Sequence, residues 1–350
     1  MPGRDLLILT GPEVGDLLHG RERDVLDAVE RAYRQHADGN TSLPHSNFLL
    51  FPESPRNRII ALPAFLGGER PLAGLKWIAS FPSNHELGLD RASAVMVVNS
   101  AETGVPQAIL EGSIISAKRT AASAALAANQ LSRGIPPPTV GLIGCGRINA
   151  EILHFLESFF PIRHVVVFDI DEGRAEGLRR WIQGSIPDAR IEVAERIEDV
   201  LRRAPLVSFA TTASEPHVEN LDGCPAGATI LHVSLRDLSV PAILSADNIV
   251  DDVDHVMRAR TSVHLAEQFT GGRDFIRATL GEILKEEKPR RSDTRRVSVF
   301  SPFGLGILDL AVADLVLDLA DRTGAGTRIP AFLPETWTGV APADESAAAK

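Results

Sequence analysis

Apolar and polar positions change period along the chain, and the changes predict its elements. Leu6 to Leu9 is a short apolar run, and Pro12, following Gly11, opens a helix expected to run through Tyr33 to Ala37. Asn47 to Phe51, Arg58 to Pro63, Leu75 to Ser80 and Ala94 to Asn99 read as strands. A turn at Glu102-Thr103-Gly104 leads to Pro106 to Leu110, which completes a hairpin. From Ser113 to Leu131 the chain is rich in alanine, the strongest helix former.

The stiff stretch Gly134-Ile135-Pro136-Pro137-Pro138 marks a domain boundary. Beyond it, nearly continuous apolar runs at Thr139 to Ile143, Val165 to Phe168, Leu206 to Ala210, Thr229 to Val233 and Ile249 to Val250 alternate with helical stretches. The first of these helices are Asn149 to Phe159 and Glu172 to Gln183. This alternation predicts an α/β fold, a Rossmann-type doubly wound parallel sheet. Gly306 to Arg322 carries Ile307, Leu308, Ala311, Leu315 and Leu319 at helical spacing. No strand is expected after that helix, so it should cross back onto the first domain. The expected domains are therefore a discontinuous α+β domain, 1–132 with 305–335, and the Rossmann-type domain, 133–304. A disordered tail is expected over 336–350, where alanine, proline and acidic residues dominate.

Composition narrows the class. The chain has 350 residues, 44% apolar and 23% charged, enough for a sizeable core in two or three domains. Thirty-six basic against 46 acidic residues give a net charge of −10. That balance argues against nucleic acid and against a polybasic membrane patch. Two cysteines, Cys145 and Cys224, make no disulfide scaffold and no zinc module. No apolar run has the length of a membrane span, and the first residues do not read as a signal peptide. A cytoplasmic protein is the default. The charge run Glu286 to Arg296 is expected to be a solvated loop.

The sharpest local motif is Gly144-Cys145-Gly146 between a strand and a helix. The first glycine permits a tight turn, the second lets backbone approach a pyrophosphate, and the helix N-terminus attracts its charge. Asn149 stands where a third glycine or alanine is usual. Asp169 ends the next strand, 23 residues beyond Gly146, where a carboxylate that binds the adenosine ribose belongs; the alternative is a cap on the following helix. On the first reading the cofactor is NAD rather than NADP.

Elsewhere the residues leave two readings each. Lys76, in an apolar run beside Trp77, either holds a substrate carboxylate or points outward. Lys118-Arg119-Thr120, early in the alanine-rich helix, is either an anion site or a solvated helix face. Asp237, just beyond an apolar strand, is either an acid–base carboxylate or a loop cap. Asp251, Asp252, Asp254 and His255 lack the partner spacing of a metal site. His45, His217, His232 and His264 read as packing or surface residues.

Taken together, these residues resemble the ornithine cyclodeaminase/mu-crystallin family from about Pro44 to Ala313. The resemblance rests on Leu43 to Gly68, GLKWIASFP (Gly74 to Pro82), Arg91 to Ala125, HVSLRDL (His232 to Leu238) and FSPFGLGILDLA (Phe300 to Ala311). Within the family the pattern is most like members of siderophore and peptide-antibiotic pathways that split N-(2-amino-2-carboxyethyl)-L-glutamate into 2,3-diaminopropionate and 2-oxoglutarate. The resemblance implies an NAD-dependent oxidoreductase acting on an amino-acid substrate. It implies Lys76 and Asp237 as catalytic residues, with Lys76 and Arg119 binding substrate carboxylate. It assigns Arg119, Thr120, Gly144, Gly146, Arg147, Ile148, Asp169, Thr211 and Ser234 to the cofactor. It also implies a homodimer formed through the strand-rich first domain. Ornithine cyclodeamination, imino-acid reduction and crystallin-like ligand binding are its alternatives. Leu49-Leu50 occupies a strand where relatives carry an arginine. A substrate with one carboxylate fewer, or of another shape, is the expected consequence.

Overall fold

The structure, a computed structural model, describes residues 5–54 and 56–334. The tail expected over 336–350 lies outside the described residues. In chain order the first elements are β1 (Leu6–Leu9), α1 (Gly11–Leu18), α2 (Glu22–Ala37), β2 (Thr41–Ser42), β3 (Asn47–Leu50), β4 (Arg58–Leu66), β5 (Leu72–Ser80), β6 (Ala92–Ser100), β7 (Pro106–Glu111) and α3 (Ser113–Leu131). Then follow β8 (Val140–Ile143), α4 (Arg147–Glu157), β9 (His164–Phe168), α5 (Glu172–Ser185), β10 (Arg190–Val193), α6 (Ile197–Arg203), β11 (Leu206–Phe209) and β12 (Thr229–His232). The last are α7 (Val240–Ser245), β13 (Asp247–Val250), α8 (Val253–Val256), α9 (Ser262–Thr270), β14 (Ile276–Thr279), α10 (Leu280–Leu284), β15 (Ser298–Ser301), α11 (Gly306–Thr323) and β16 (Thr327–Ile329).

Two sheets organise the chain. The first, in the order β16-β1-β7-β6-β5-β4-β2 with β3 also on β4, is mixed. The second, β10-β9-β8-β11-β12-β15-β13-β14, pairs its strands in parallel throughout. Its order reverses direction between β8 and β11, the switch point at which open α/β sheets bind ligands beyond their carboxyl ends. Successive residues of β8 show the two buried faces: Leu142 faces the core shared with the first sheet, and Ile143 faces a second core with Val166, Phe209 and Ile230. The alanine-rich α3 is buried nearly all round, as a helix apolar on every side must be. It packs on α2 and α11 and also on α4.

The first sheet is unlike the second. Its inner face, with Ala64, Met96, Val98 and Leu110, is sealed by helices. Its outer face leaves Pro63, Phe65, Leu75, Val95, Val97 and Ile109 half-buried and Leu49 and Trp77 exposed.

Three expectations need correction. The single helix foreseen from Pro12 to Ala37 is two, α1 and α2, because Gly20 adopts a left-handed φ of 69° that no helix accommodates. The C-terminal helix does have a strand after it: β16 returns antiparallel to β1. The charge run from Glu286 is not simply solvated, since Arg291 donates to the Leu131 and Ala228 carbonyls and Arg296 to those of Leu244 and Ser245. The sequence pattern also missed β10, β14 and β15; β15 is four buried residues, too short to show a period. No helix among the described residues is long and apolar enough to cross a membrane.

Candidate active site

The glycine turn lies at the switch point. Gly144 has φ 90°, and a Cβ there would stand 2.5 Å from the Ala210 carbonyl oxygen and 3.2 Å from Thr211 Cα, so only glycine fits. Around Gly146, by contrast, a Cβ would meet nothing within 4 Å, leaving the N-terminus of α4 open. No side chain caps that helix and its first turn holds no acid, so its free N–H groups and dipole are available to an anion. Arg147 and Ile148 are its first residues, with Arg147 4.0 Å from Glu151 one turn further on. Asn149 is buried and donates to the Ile143 and Gly144 carbonyls. It staples the turn, which explains why no third glycine is needed. Asp169 accepts from the Cys145 N–H at 2.7 Å and the Asp171 N–H at 2.9 Å. The cap of the following helix is Asp171, so Asp169 does not serve there. The turn, open helix end and strand-end carboxylate fit a dinucleotide.

One residue separates this turn from Asp237. Thr211, packed on Gly144, donates its hydroxyl to Asp237 Oδ1, and Ser234 donates to Oδ2, both at 2.5 Å. The fully buried His232 accepts the Asp237 N–H at Nε2 and meets Ser301 Oγ at Nδ1, 3.2 Å away. Burial alone would raise the Asp237 carboxyl; the contacts with His232, Ser234 and Thr211 outweigh it and hold it down to about 2. Leu235 adopts a left-handed φ of 70°, a strained conformation for a branched side chain, and its carbonyl is pinned by the Ser262 N–H.

Lys76 does not point outward. It is 2% exposed, and its ammonium donates to Asp309 Oδ2 at 2.7 Å and Ser116 Oγ at 3.0 Å. Arg119 donates through Nε to the other oxygen of Asp309 at 3.0 Å. Its terminal nitrogens make no hydrogen bond among the described residues; they lie against Gly304, where a Cβ would come within 2.8 Å of Nη1. Two cations on one carboxylate leave a net positive charge in a buried place. Burial and the Arg119 charge accordingly push the Lys76 ammonium down to about 8, against the pull of Asp309.

The segment 301–304 joins the two groups. Ser301 touches His232, Gly304 touches Arg119, and the buried Asp251 fixes the segment by accepting the Phe303 and Gly304 N–H groups. Burial raises the Asp251 carboxyl while those N–H groups oppose it.

Other expected residues fall differently. Lys118 pairs with Glu22 and with Glu151, the acid that also stands by Arg147. Thr120 spends its hydroxyl proton on the Ser116 carbonyl, so as placed it does not donate to a phosphate. His232 is not a mere packing residue, since it braces Asp237, and His217 Nε2 stands 3.8 Å from the same carboxylate. Asp252 takes His36 and His255 as partners. Sequence reasoning singled out neither Asp309 nor Gly304, and it weighed Asp251 only as part of an acidic cluster, not as the brace of the 301–304 segment. Asp309 had a visible signal, an acid between Leu308 and Leu310 in the apolar first half of its helix.

The chain is similar over nearly its whole length to known proteins. The profile of the ornithine cyclodeaminase/mu-crystallin family matches residues 6–324. The chain is 29% identical to N-((2S)-2-amino-2-carboxyethyl)-L-glutamate dehydrogenase of Staphylococcus aureus, over 93% of this chain and 98% of that one. It is 30% identical to alanine dehydrogenase of Archaeoglobus fulgidus, over 94% and 99%. The solved structure of an archaeal alanine dehydrogenase dimer with bound NAD superposes with a TM-score of 0.84 at 29% identity, over 93% and 99%.

Proposed function

The chain belongs to the ornithine cyclodeaminase/mu-crystallin family, and from that membership we propose that it is an NAD-dependent enzyme that oxidatively cleaves the C–N bond of an amino-acid-derived secondary amine. The substrate of this reading is N-(2-amino-2-carboxyethyl)-L-glutamate, which one of the similar relatives is named for. The observation that carries this reading is the path from Gly144 through Thr211 to Asp237, which puts a permanent carboxylate beside the dinucleotide turn.

The reaction balances as secondary amine, NAD⁺ and water giving 2-oxoglutarate, 2,3-diaminopropionate, NADH and a proton. The bound nicotinamide supplies the hydride acceptor. The protein's residues do the rest. The open end of α4 and Gly146 take the pyrophosphate, and Asp169 takes the ribose hydroxyls, where a 2′-phosphate would be repelled. Lys76 and Arg119, with one net positive charge between them and Asp309, bind the carboxylate next to the reacting carbon. Asp237 stays ionised across the physiological range. A carboxylate that acidic is a weak base. It serves better as the counter-charge of the iminium nitrogen and as the acceptor that orients the hydrolytic water. The half-buried outer face of the first sheet is where a second copy of the chain packs, in keeping with the dimeric relative.

The test is direct. Purified chain, NAD⁺ and N-(2-amino-2-carboxyethyl)-L-glutamate should accumulate NADH and 2-oxoglutarate in equal amounts. Proline formed from ornithine without NADH would favour cyclodeamination instead, and inertness toward both would end the proposal.

A further inference from the structure

Asp237 leaves a proton unplaced. The residue is fully buried, and Thr211 and Ser234 occupy both of its carboxylate oxygens. Held down to about 2, it is too weak a base to take a proton from an ammonium group or from water near neutrality. A secondary amine carries a proton in that range. Hydride leaves the adjacent carbon only after nitrogen has given that proton up, because the C=N bond forms from the freed lone pair. The chemistry therefore needs a proton acceptor that meets Asp237 and also reaches solvent.

Two histidines approach this carboxylate. His232, on the Oδ2 side, is fully buried, and both of its ring nitrogens are engaged, by the Asp237 N–H and by Ser301. His217 approaches the other oxygen, with Nε2 3.8 Å from Oδ1. Thr211 donates to that same oxygen and packs on Gly144, so His217 and the dinucleotide turn meet Asp237 at one oxygen. Unlike His232, His217 is exposed, and among the described residues its ring makes no hydrogen bond. Imidazole is the side chain suited to exchanging protons near neutrality.

The placement is built into the backbone. His217 lies on the loop that leaves the carboxyl end of β11, at the switch point. The His217 and Val218 N–H groups both donate to the Asp237 carbonyl, each at 2.9 Å, and the Ser239 N–H returns to the Val218 carbonyl at 2.9 Å. At the start of the loop the Ala213 N–H donates to Thr211 Oγ1. Ring and carboxylate are thus held side by side by their main chains. A gap of 3.8 Å is longer than a hydrogen bond, and catalytic pairs commonly close such a gap in the loaded complex. Glu215 and Glu219, on the same loop, are exposed and make no ion pair among the described residues, while Arg236 is turned to the Ala259 carbonyl. Asp237 is therefore the charge that the His217 ring meets.

We propose that His217 is the proton acceptor of the reaction, with Asp237 as its counter-charge. This rests on the functional reading above and supplies the base that Asp237 cannot be. The ring takes the proton of the secondary ammonium, and the N–H electron pair stays on nitrogen. The C–H bond then breaks with its pair passing to the nicotinamide; carbon is oxidised, NAD⁺ is reduced, and the nitrogen lone pair closes the C=N bond. Exposure lets the ring hand its proton to solvent, which is the one proton of the overall balance. Neutral again, it relays to nitrogen the two protons of the water that adds to the C=N carbon. The C–N bond breaks with its pair on nitrogen, and the carbonyl forms.

The test follows kcat for NADH formation from N-(2-amino-2-carboxyethyl)-L-glutamate at saturating NAD⁺, from about pH 5 to 9. The wild type should show an acid limb, the rate falling with pH, because a protonated ring accepts nothing; Asp237 supplies no limb in that range. His217→Gln should lower kcat by about 10²–10³-fold and remove the limb, while NADH affinity by fluorescence titration stays within about twofold. In His217→Ala, added imidazole should restore the rate at least about tenfold, which a merely structural role would not allow. A limb that survives His217→Gln, a rate within about threefold of wild type, or a loss that imidazole does not repair would overturn the assignment and leave the functional reading standing. A wild type that makes no NADH from this amine at any pH would sink the functional reading, and the base with it.

Discussion

The two halves of the site solve opposite electrostatic problems. On the first sheet, Lys76 and Arg119 are cations taken out of water, and one acid, Asp309, neutralises only one of them. On the second, Asp237 is an anion taken out of water and satisfied by the neutral hydroxyls of Thr211 and Ser234. The first arrangement is incomplete and accepts an anion, and it loosens the proton on Lys76. The second is complete in hydrogen bonds and holds its charge until strong acid. A charge that must be exchanged with a ligand is left under-compensated. A charge that must persist through a reaction is saturated with fixed donors.

The sharpest way to break the comparison is Asp237→Asn. The amide keeps the shape and removes the charge, so turnover should fall by about 10²–10⁴-fold while NADH affinity, measured by fluorescence titration, stays within twofold. Wild-type rates would show that the saturated carboxylate is only structural. Asp309→Asn attacks the other half. It leaves two buried cations without their acid and should cost about 3–5 kcal/mol in denaturant unfolding. Adding Lys76→Met should recover part of that loss; no recovery would mean the two are not coupled.

The smallest effect is in the pH dependence. The folded Lys76 titrates near 8, below its ordinary 10.5. As pH rises through 8 the triad loses a positive charge, so KM for the carboxylate substrate should climb from there by up to about tenfold per pH unit, with no matching limb from Asp237 on the acid side above about pH 3. Stability moves the other way. Between about 8 and 10.5 the unfolded chain binds the extra proton, so the burden that Lys76 places on folding is relieved over that window. A KM flat from pH 7 to 10 would remove Lys76 from the carboxylate site.

Much of the fold was legible because its signals are local. Gly144 and Gly146 sit in a strand–turn–helix context, the runs at Val165 and Thr229 are continuous and apolar, and Ser113 to Leu131 is a helix to the residue. The break at Gly20 and the short β15 were not, because a single glycine is compatible with a helix and four residues cannot show a period. In the site, Lys76, Arg119 and Asp237 stood out as charges beside apolar runs, but each had a bland reading at least as acceptable, and for Asp237 the loop cap was the better one.

The amino-acid sequence by itself determined the parallel sheet, the dinucleotide turn and the charged residues that apolar strands and helices must carry inward. Only the tertiary structure decided their company. Lys76 and Asp309 are 233 residues apart along the chain, and Asp251 and Gly304 are 53 apart. Partners that distant share no periodicity, and the free energy of a buried charge depends on which partner the fold delivers to it.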